Sequence, residues 1–199
     1  MLVLDTESSG LLPDRHSILS IGALDFRNPD NRFYAECRIW DGAEIMDEAL
    51  AVNGFTHEQA TDVSKQSEAE LIESFLEWSK DLPERTLTAQ NVAFDRGMVV
   101  AAAERAHLNY SLAHRTIDIH TLAWMHICQK QGEPPVDEKH RRSALNSKAV
   151  LNYCGLPKEP DPHNALTGAL WHAEVTSRLL YSKKLLPEFE EFDIPWLGC

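Results

Sequence analysis

The sequence predicts a single α/β domain. Short runs of apolar and β-branched residues alternate with segments of helical periodicity along most of its 199 residues. The chain has no internal repeat, no low-complexity tract and no obvious linker. A chain of this length can bury a sizeable core without disulfides or metals, so one domain is the most economical interpretation.

Three strands are predicted near the start of the chain, and we expect them to form an antiparallel meander. They cover residues 2–7 (LVLDTE), 18–26 (ILSIGALDF) and 32–39 (RFYAECRI). The run RNPDN, which is typical of a turn, joins the second strand to the third. A buried strand is predicted at 86–91 (TLTAQN), and residues 116–127 begin as a strand and become helical.

Helices are predicted between and after these strands. Gly54 closes the first helix, because glycine readily adopts the left-handed conformation that ends helices. Ser67 and Glu70 form a capping box at the second helix, and Ser143 caps the fourth. A long polar loop is predicted at 131–142. The predicted helices cover 48–54, 67–82, 95–108, 143–156 and about 164–183.

Composition excludes several classes of protein. No apolar run is long enough to span a bilayer, and MLVLDTE enters a strand without the features of a signal peptide. The four cysteines show no CxxC pairing, so we expect reduced thiols in a cytoplasmic protein. The net charge of −12 argues against a broad basic surface for duplex nucleic acid, but it allows a small cleft that holds a few nucleotides through metal ions.

Three carboxylates and a histidine stand at the ends of predicted elements. Asp5 and Glu7 lie two residues apart on a strand, so their side chains face the same way. Such a pair is unfavourable unless a cation neutralises it, and oxygen-rich sites suit Mg²⁺ or Mn²⁺. Asp95 opens a helix and His163 precedes the last helix. Considered singly, each of these residues is equally compatible with a solvated or structural role.

Three short motifs occur in a specific order: VLDTESSG, QNVAFDRGM and PHNALTGA. Together they resemble the motifs of the DEDDh family, the DnaQ-like 3′–5′ exonucleases, and LAVNGFTHEQ and RSALNSKAVLNYCGL resemble two further segments of that family. The resemblance covers about residues 1–182. It implies an RNase H-like (exonuclease) fold, with a five-stranded mixed sheet flanked by helices. The exonuclease domain would span 1–185, followed by a C-terminal acidic tail at 186–199.

The resemblance also implies catalytic roles. Asp5 matches the bridging metal ligand and Glu7 matches its partner. Asp95 matches the aspartate of the second motif, and His163 matches the general base. Two ions, Mg²⁺ or Mn²⁺, would activate a water and stabilise the leaving 3′ oxygen, while the histidine takes the proton of the water. The implied reaction releases nucleoside monophosphates from the 3′ ends of single-stranded DNA or RNA, and the oligomeric state stays open.

Further residues are candidates for substrate contact. The turn after the first motif, whose backbone is expected to approach the terminal nucleotide, consists of Ser8, Ser9 and Gly10. Sugar or base contacts are expected from Leu11, Asn91 and Phe94, with core packing an equal alternative for Phe94. Phosphate contacts are expected from Lys148 and from the cluster KHRR at 139–142, for which a solvated loop is the alternative.

One position departs from the pattern of the family. The family places its fourth carboxylate five residues after the histidine, where this chain has Gly168. The site is then degenerate, or the glycine was introduced to trap an inactive form, or another group replaces the ligand. His172 is the candidate substitute, because it lies one turn further along the helix and helical side chains lean toward the N-terminus. Glu174 fits less well.

The missing carboxylate leaves two functions open. With three carboxylates the second ion is expected to be held weakly, because each lost anion removes charge that offsets the dehydration of the ion. The first function is a weakened but intact exonuclease. The alternative is a catalytically degenerate module that binds nucleic acid or a protein partner.

Overall fold

A mixed sheet of five strands forms the centre of the molecule. The computed structural model describes residues 1–198, apart from the side chain of Gln131, and orders the strands β3-β2-β1-β4-β5. The first three strands form an antiparallel meander, and β4 and β5 run parallel to β1. The predicted fold class is therefore confirmed. The strands are β1 (Leu2–Ser8), β2 (Ile18–Asp25), β3 (Asn28–Glu36), β4 (Leu87–Ala89) and β5 (Thr116–Asp118).

Helices cover both faces of the sheet. They are α1 (Asp47–Asn53), α2 (His57–Thr61), α3 (Glu68–Lys80), α4 (Val92–Arg105), α5 (Ile119–Gln131), α6 (Ser147–Tyr153) and α7 (Ala165–Tyr181). Leu2 and Leu4 of β1 join the core formed with α3 and α4, whereas Val3 joins the core formed with α5 and α7. Among the described residues, no helix is both long enough and apolar enough to cross a membrane.

Several element boundaries differ from the predicted ones. β3 begins at Asn28, so most of RNPDN lies in the strand and the turn falls at 26–27. α4 begins three residues earlier than predicted, and Asp95 lies in its first turn rather than at its start. α6 begins at Ser147 behind the cap Asn146, because Ser143 pairs with Val136 in a short hairpin. That hairpin consists of β6 (Val136–Asp137) and β7 (Arg142–Ser143), within the predicted loop.

The start of α7 lies directly on the sheet. A Cβ atom at Gly22 of β2 would stand 2.1 Å from the carbonyl carbon of Ala165, so only glycine allows this approach. Asn164 caps α7, and its side chain accepts hydrogen bonds from the backbone of Leu166 and Thr167. Helix α7 therefore packs closely against β1 and β2.

The segment after α7 packs onto the domain. Arg178 and Glu174 form a fully buried ion pair of 2.7 Å. The arginine donates to the carbonyl of Phe192, and the glutamate accepts from the backbone N–H of Leu186. Leu186 and Phe189 are buried in the core, so the described part of the predicted acidic tail, 186–198, is held against α7. Cys199 lies outside the described residues.

Candidate active site

A cleft of about 220 Å³ opens where β1 and β4 end. Side chains alternate along a strand, so Asp5 and Glu7 share the face of Val3 and lie under α7. Asp95 and His163 reach the same cleft from α4 and from the loop before α7. The structure thus brings the four predicted catalytic residues together. The lining residues are Asp5, Thr6, Glu7, Gln90, Asn91, Phe94, Asp95, Ser147, Glu159, His163 and His172.

Asp5 fills the space beside Gly168. A Cβ atom at position 168 would stand 2.2 Å from Oδ2 of Asp5, much closer than any real contact. Burial raises the pKa of Asp5 well above its usual value, and the charges of Asp95, Glu7 and Glu159 add to this effect. Gly168 therefore leaves no empty ligand position, because the carboxylate of Asp5 occupies the place that a side chain would take.

Asp95 ties α4 to β1. The backbone N–H and the hydroxyl of Thr6 both donate to Oδ1 of Asp95, at 3.0 and 2.9 Å. The side chain is buried, and burial raises its pKa to about 7 although the bonds from Thr6 act in the opposite direction. Thr6 faces the side of the sheet opposite to Asp5 and Glu7, so alternation along β1 supplies both the ligand candidates and the partner that positions Asp95.

The start of α4 shapes the floor of the cleft. Asn91 has a φ of 58° and makes no capping hydrogen bond with its side chain. Instead Oδ2 of Asp118 accepts from the backbone N–H of Val92 at 3.1 Å, and Oδ1 accepts from His120 at 2.8 Å. One carboxylate thus caps two helices, and the amide of Asn91 faces the cleft.

Glu159 is a fourth carboxylate in the cleft, and sequence reasoning missed it. It lies on the loop between α6 and α7, four residues before His163. Burial and then the charge of Glu159 raise the pKa of Glu7 to about 8, with a smaller contribution from Asp95. No sequence pattern marks Glu159, because an acidic residue in a loop is ordinarily solvated.

The cleft concentrates negative charge without a compensating cation from the protein. Four carboxylates lie in or beside it, and Oε1 of Glu159 is buried with no hydrogen-bond partner among the described residues. Oxygen donors of this kind fit Mg²⁺ or Mn²⁺. Within the described part of the chain, no group of three or more His, Cys, Asp or Glu side chains already stands in ligand geometry.

His163 stands at the mouth of the cleft. Its side chain is 35% exposed, and Nε2 lies 3.8 Å from Oδ1 of Asp161. Its backbone N–H donates to the carbonyl of Val52 at 3.1 Å, which fixes the loop against α1. The imidazole is therefore accessible to solvent on a segment that is held in place.

His172 lies deeper in the cleft, as expected for a residue one turn beyond Gly168. Nδ1 is 3.0 Å from the carbonyl oxygen of Leu4, and because a carbonyl only accepts, Nδ1 carries the proton. Burial lowers the pKa of His172 to about 4, so the ring is neutral at pH 7 and Nε2 keeps its lone pair. Glu174, the less suitable candidate, is engaged in the buried ion pair with Arg178.

The turn after β1 is held by its own side chains. The hydroxyl of Ser8 donates to the carbonyl of Gly10 at 2.7 Å. The hydroxyl of Ser9 donates to the carbonyl of Glu44 at 2.7 Å and accepts from the backbone N–H of Ser17 at 2.9 Å. These hydroxyls are engaged in hydrogen bonds within the protein and stabilise the turn.

The other predicted contact residues lie in different environments. Leu11 is 63% exposed and lies outside the cleft lining. Asn91 is exposed, and Phe94 both lines the cleft and packs against the core, so its predicted core packing is confirmed and its contact with substrate stays a prediction. Sequence reasoning missed Thr6, Gln90 and Ser147, because uncharged polar residues carry no pattern that marks a site.

A larger groove of about 810 Å³ adjoins the cleft and shares Gln90, Asn91 and Ser147 with it. Arg142 of the predicted basic cluster lines this groove and is 72% exposed. Within the same cluster His140 lies 2.7 Å from Asp137, so part of the basic charge is paired. The groove leads from the carboxylates to the β6–β7 hairpin.

Solved structures of two kinds share this architecture. E. coli Exonuclease I in complex with a dA16 oligonucleotide has a TM-score of 0.69 and 17% identity, over 92% of this chain and 40% of that chain. The nuclease domain of 3'hExo, a DEDDh family member bound to rAMP, has a TM-score of 0.69 and 17% identity over 93% of both chains. The chain has the RNase H-like fold of these exonucleases.

Further comparisons show how much of each protein is similar. Exonuclease I from Methylocaldum szegediense has a TM-score of 0.68 and 18% identity over 92% of this chain. The chain spans 40% to 43% of the length of the Exonuclease I structures. No protein-family model and no curated protein matches the sequence. At this level of identity the comparisons establish the exonuclease fold.

Proposed function

We propose that this protein is a metal-dependent 3′–5′ exonuclease that releases nucleoside monophosphates from single-stranded DNA or RNA ends. The supporting observation is the convergence of Asp5, Glu7, Asp95 and His163 in one cleft of an exonuclease fold. Structures of Exonuclease I hold single-stranded oligonucleotides, and the 3'hExo domain holds rAMP. These ligands support single-stranded nucleic acid as the proposed class of substrate.

Each carboxylate has a distinct part in holding the ions. Asp5 and Glu7 lie two residues apart on β1, and both line the cleft with Asp95. Asp95 turns Oδ1 toward Thr6, so it offers its second oxygen. Bound Mg²⁺ or Mn²⁺ would activate a water and stabilise the leaving oxygen. Position 168 contributes no anion, so the second ion needs a donor from elsewhere in the cleft, and Nε2 of His172 is one candidate.

His163 acts as the general base. Imidazole exchanges protons near neutral pH, and a base must reach its proton directly or through one water. The ring of His163 stands at the open side of the cleft, opposite the carboxylates of β1. It can therefore take the proton of the attacking water and pass it to solvent.

The terminal nucleotide binds between the turn after β1 and the start of α4. The backbone of the turn at 8–10 approaches the nucleotide, while Leu11, Asn91 and Phe94 contact the sugar or base. With a net charge of −12, affinity is confined to a few nucleotides at a free 3′ end, and duplex binds poorly.

A degenerate binding module is the second candidate, favoured by the missing carboxylate at Gly168. The two functions differ in turnover. Labelled linear and circular single strands should be incubated with Mg²⁺ or Mn²⁺, with Asp5→Asn as the inactive control. The exonuclease releases mononucleotides from linear strands only, and faster with Mn²⁺. Binding without cleavage by the wild type would establish the second candidate, and cutting of circles would contradict exonuclease polarity.

A further inference from the structure

Position 168 of α7 carries no side chain, yet the cleft still contains four acidic side chains. The fourth is Glu159, which enters from the loop ahead of α7. A side chain at position 168 would have to displace Asp5, since its Cβ would stand 2.2 Å from Oδ2 of that residue. Glu159 comes from the segment that also carries His163.

The environment of Glu159 is unfavourable for a side chain with a purely structural role. Oε1 is buried and has no hydrogen-bond partner among the described residues. Buried polar atoms are nearly always hydrogen-bonded, and leaving one unpaired destabilises a protein. The ion pairs of this part of the chain join Lys158 or His163 to Asp161 instead. The oxygen therefore needs a partner that this structure does not contain.

The position of Glu159 borders the proposed ligands. Glu159 lines the same cleft as Asp5, Glu7 and His163. Its charge raises the pKa of Glu7 more than that of Asp95 does, and it also raises the pKa of Asp5. Glu159 is therefore a close neighbour of the carboxylates of β1.

We propose that Glu159 supplies the fourth carboxylate of the metal site, from the loop rather than from position 168 of α7. This inference rests on the proposed exonuclease function. Oxygen donors suit Mg²⁺ and Mn²⁺ better than imidazole nitrogen does, which favours Glu159 over His172 for this place. Glu159 then replaces the anion that position 168 lacks, so that four carboxylates hold the two ions.

The test measures metal binding without substrate. Mn²⁺ is titrated by calorimetry into the wild type, Glu159→Gln, Asp5→Asn and Glu138→Gln. Glu138→Gln is the matched control, because it removes an exposed carboxylate from a loop outside the cleft. The melting temperature of each variant is recorded with EDTA and with Mn²⁺. Glu159→Asp, which keeps the charge on a shorter side chain, is included as a second probe of ligand reach.

We expect Glu159→Gln to weaken the second Mn²⁺ binding event by roughly tenfold or more, since even loss of an outer partner of a ligand has such an effect. Its melting temperature in EDTA should be unchanged or higher, because an unpaired buried charge has been removed. The rise with Mn²⁺ should be smaller than in the wild type. The Mn²⁺ affinity of Glu159→Asp should lie between those of the wild type and Glu159→Gln. Glu138→Gln should match the wild type in Mn²⁺ affinity and in melting temperature.

Other outcomes overturn the inference. Unchanged Mn²⁺ binding in Glu159→Gln, with binding lost in Asp5→Asn, removes Glu159 from the site and leaves the proposed function standing. A lower melting temperature in EDTA with unchanged Mn²⁺ affinity makes Glu159 a structural residue. If the wild type binds no Mn²⁺, or Asp5→Asn binds it equally well, the metal-dependent function fails together with the inference.

Discussion

At the scale of single residues, Asp5 and position 168 compete for one space. The sequence alone presents Gly168 as a ligand that lost its side chain, whereas the structure places the carboxylate of Asp5 where a Cβ atom at position 168 would stand. Glycine in a helix interior is less stable than alanine by roughly 1 kcal/mol, so its presence in α7 requires a reason. The reason is steric: α7 lies so close to β1 that a side chain at 168 would displace Asp5.

The first prediction concerns Gly168→Ala. The added Cβ would stand 2.2 Å from Oδ2 of Asp5, so the variant should lose stability by about 1–3 kcal/mol through overpacking, despite better helix propensity. Gly97→Ala in α4 is the matched control, because its Cβ would meet only Pro13 at 3.4 Å and should stabilise by up to about 1 kcal/mol. Urea unfolding in EDTA measures both. A Gly168→Ala variant as stable as Gly97→Ala would contradict the steric account.

At the scale of elements, connecting segments carry much of the site. The loop between α6 and α7 supplies Glu159 and His163, and the turn before α4 supplies Asn91. The β6–β7 hairpin closes a groove that continues the cleft, with Arg142 along it. Strands and helices position Asp5, Glu7 and Asp95, while these connections form the rest of the cleft and the adjoining groove.

The second prediction concerns the hairpin. Arg142→Gln should weaken binding of single strands long enough to enter the groove and leave mononucleotide binding unchanged, because Arg142 lies away from the carboxylates. Losing one phosphate contact should reduce the slope of log K against log salt by about 0.7. Binding is measured in an Asp5→Asn background to prevent cleavage. Arg141→Gln, also exposed but outside the groove lining, is the control, and an equal effect of both variants would point to general charge.

At the scale of the whole molecule, the fold gathers buried acids in a chain that is already strongly negative. Burial raises the pKa of Glu7 from 4.5 to about 8 and that of Asp95 from 3.8 to about 7. A group whose pKa is raised on folding stabilises the folded state at low pH and loses that contribution as the pH rises through the folded value. Burial lowers the pKa of His172 from 6.5 to about 4, which acts in the opposite direction below pH 6.5.

The third prediction follows from these pKa shifts. Without metal, the free energy of unfolding should fall as the pH rises from 6.5 to 8, because Glu7 and Asp95 release protons there while His172 no longer changes charge. Mn²⁺ should flatten the slope by neutralising the carboxylates. Chemical unfolding between pH 6 and 9 gives the measurement, and Glu7→Gln should show a smaller slope in EDTA. Stability that rises over this range in EDTA would refute the account.

The sequence by itself determined an α/β domain that begins with an antiparallel meander, because strand and helix periodicity are local signals. The convergence of Asp5, Glu7, Asp95 and His163 was implied by the resemblance of its ordered motifs to a known family. The sequence also placed the capping box at Ser67 and Glu70. Only the tertiary structure decided what Gly168 does and which side chain comes near it. The space at 168 depends on how closely α7 lies on β1, and Glu159 reaches the cleft through the path of a loop. Neither the spacing between α7 and β1 nor the path of that loop is encoded in local periodicity.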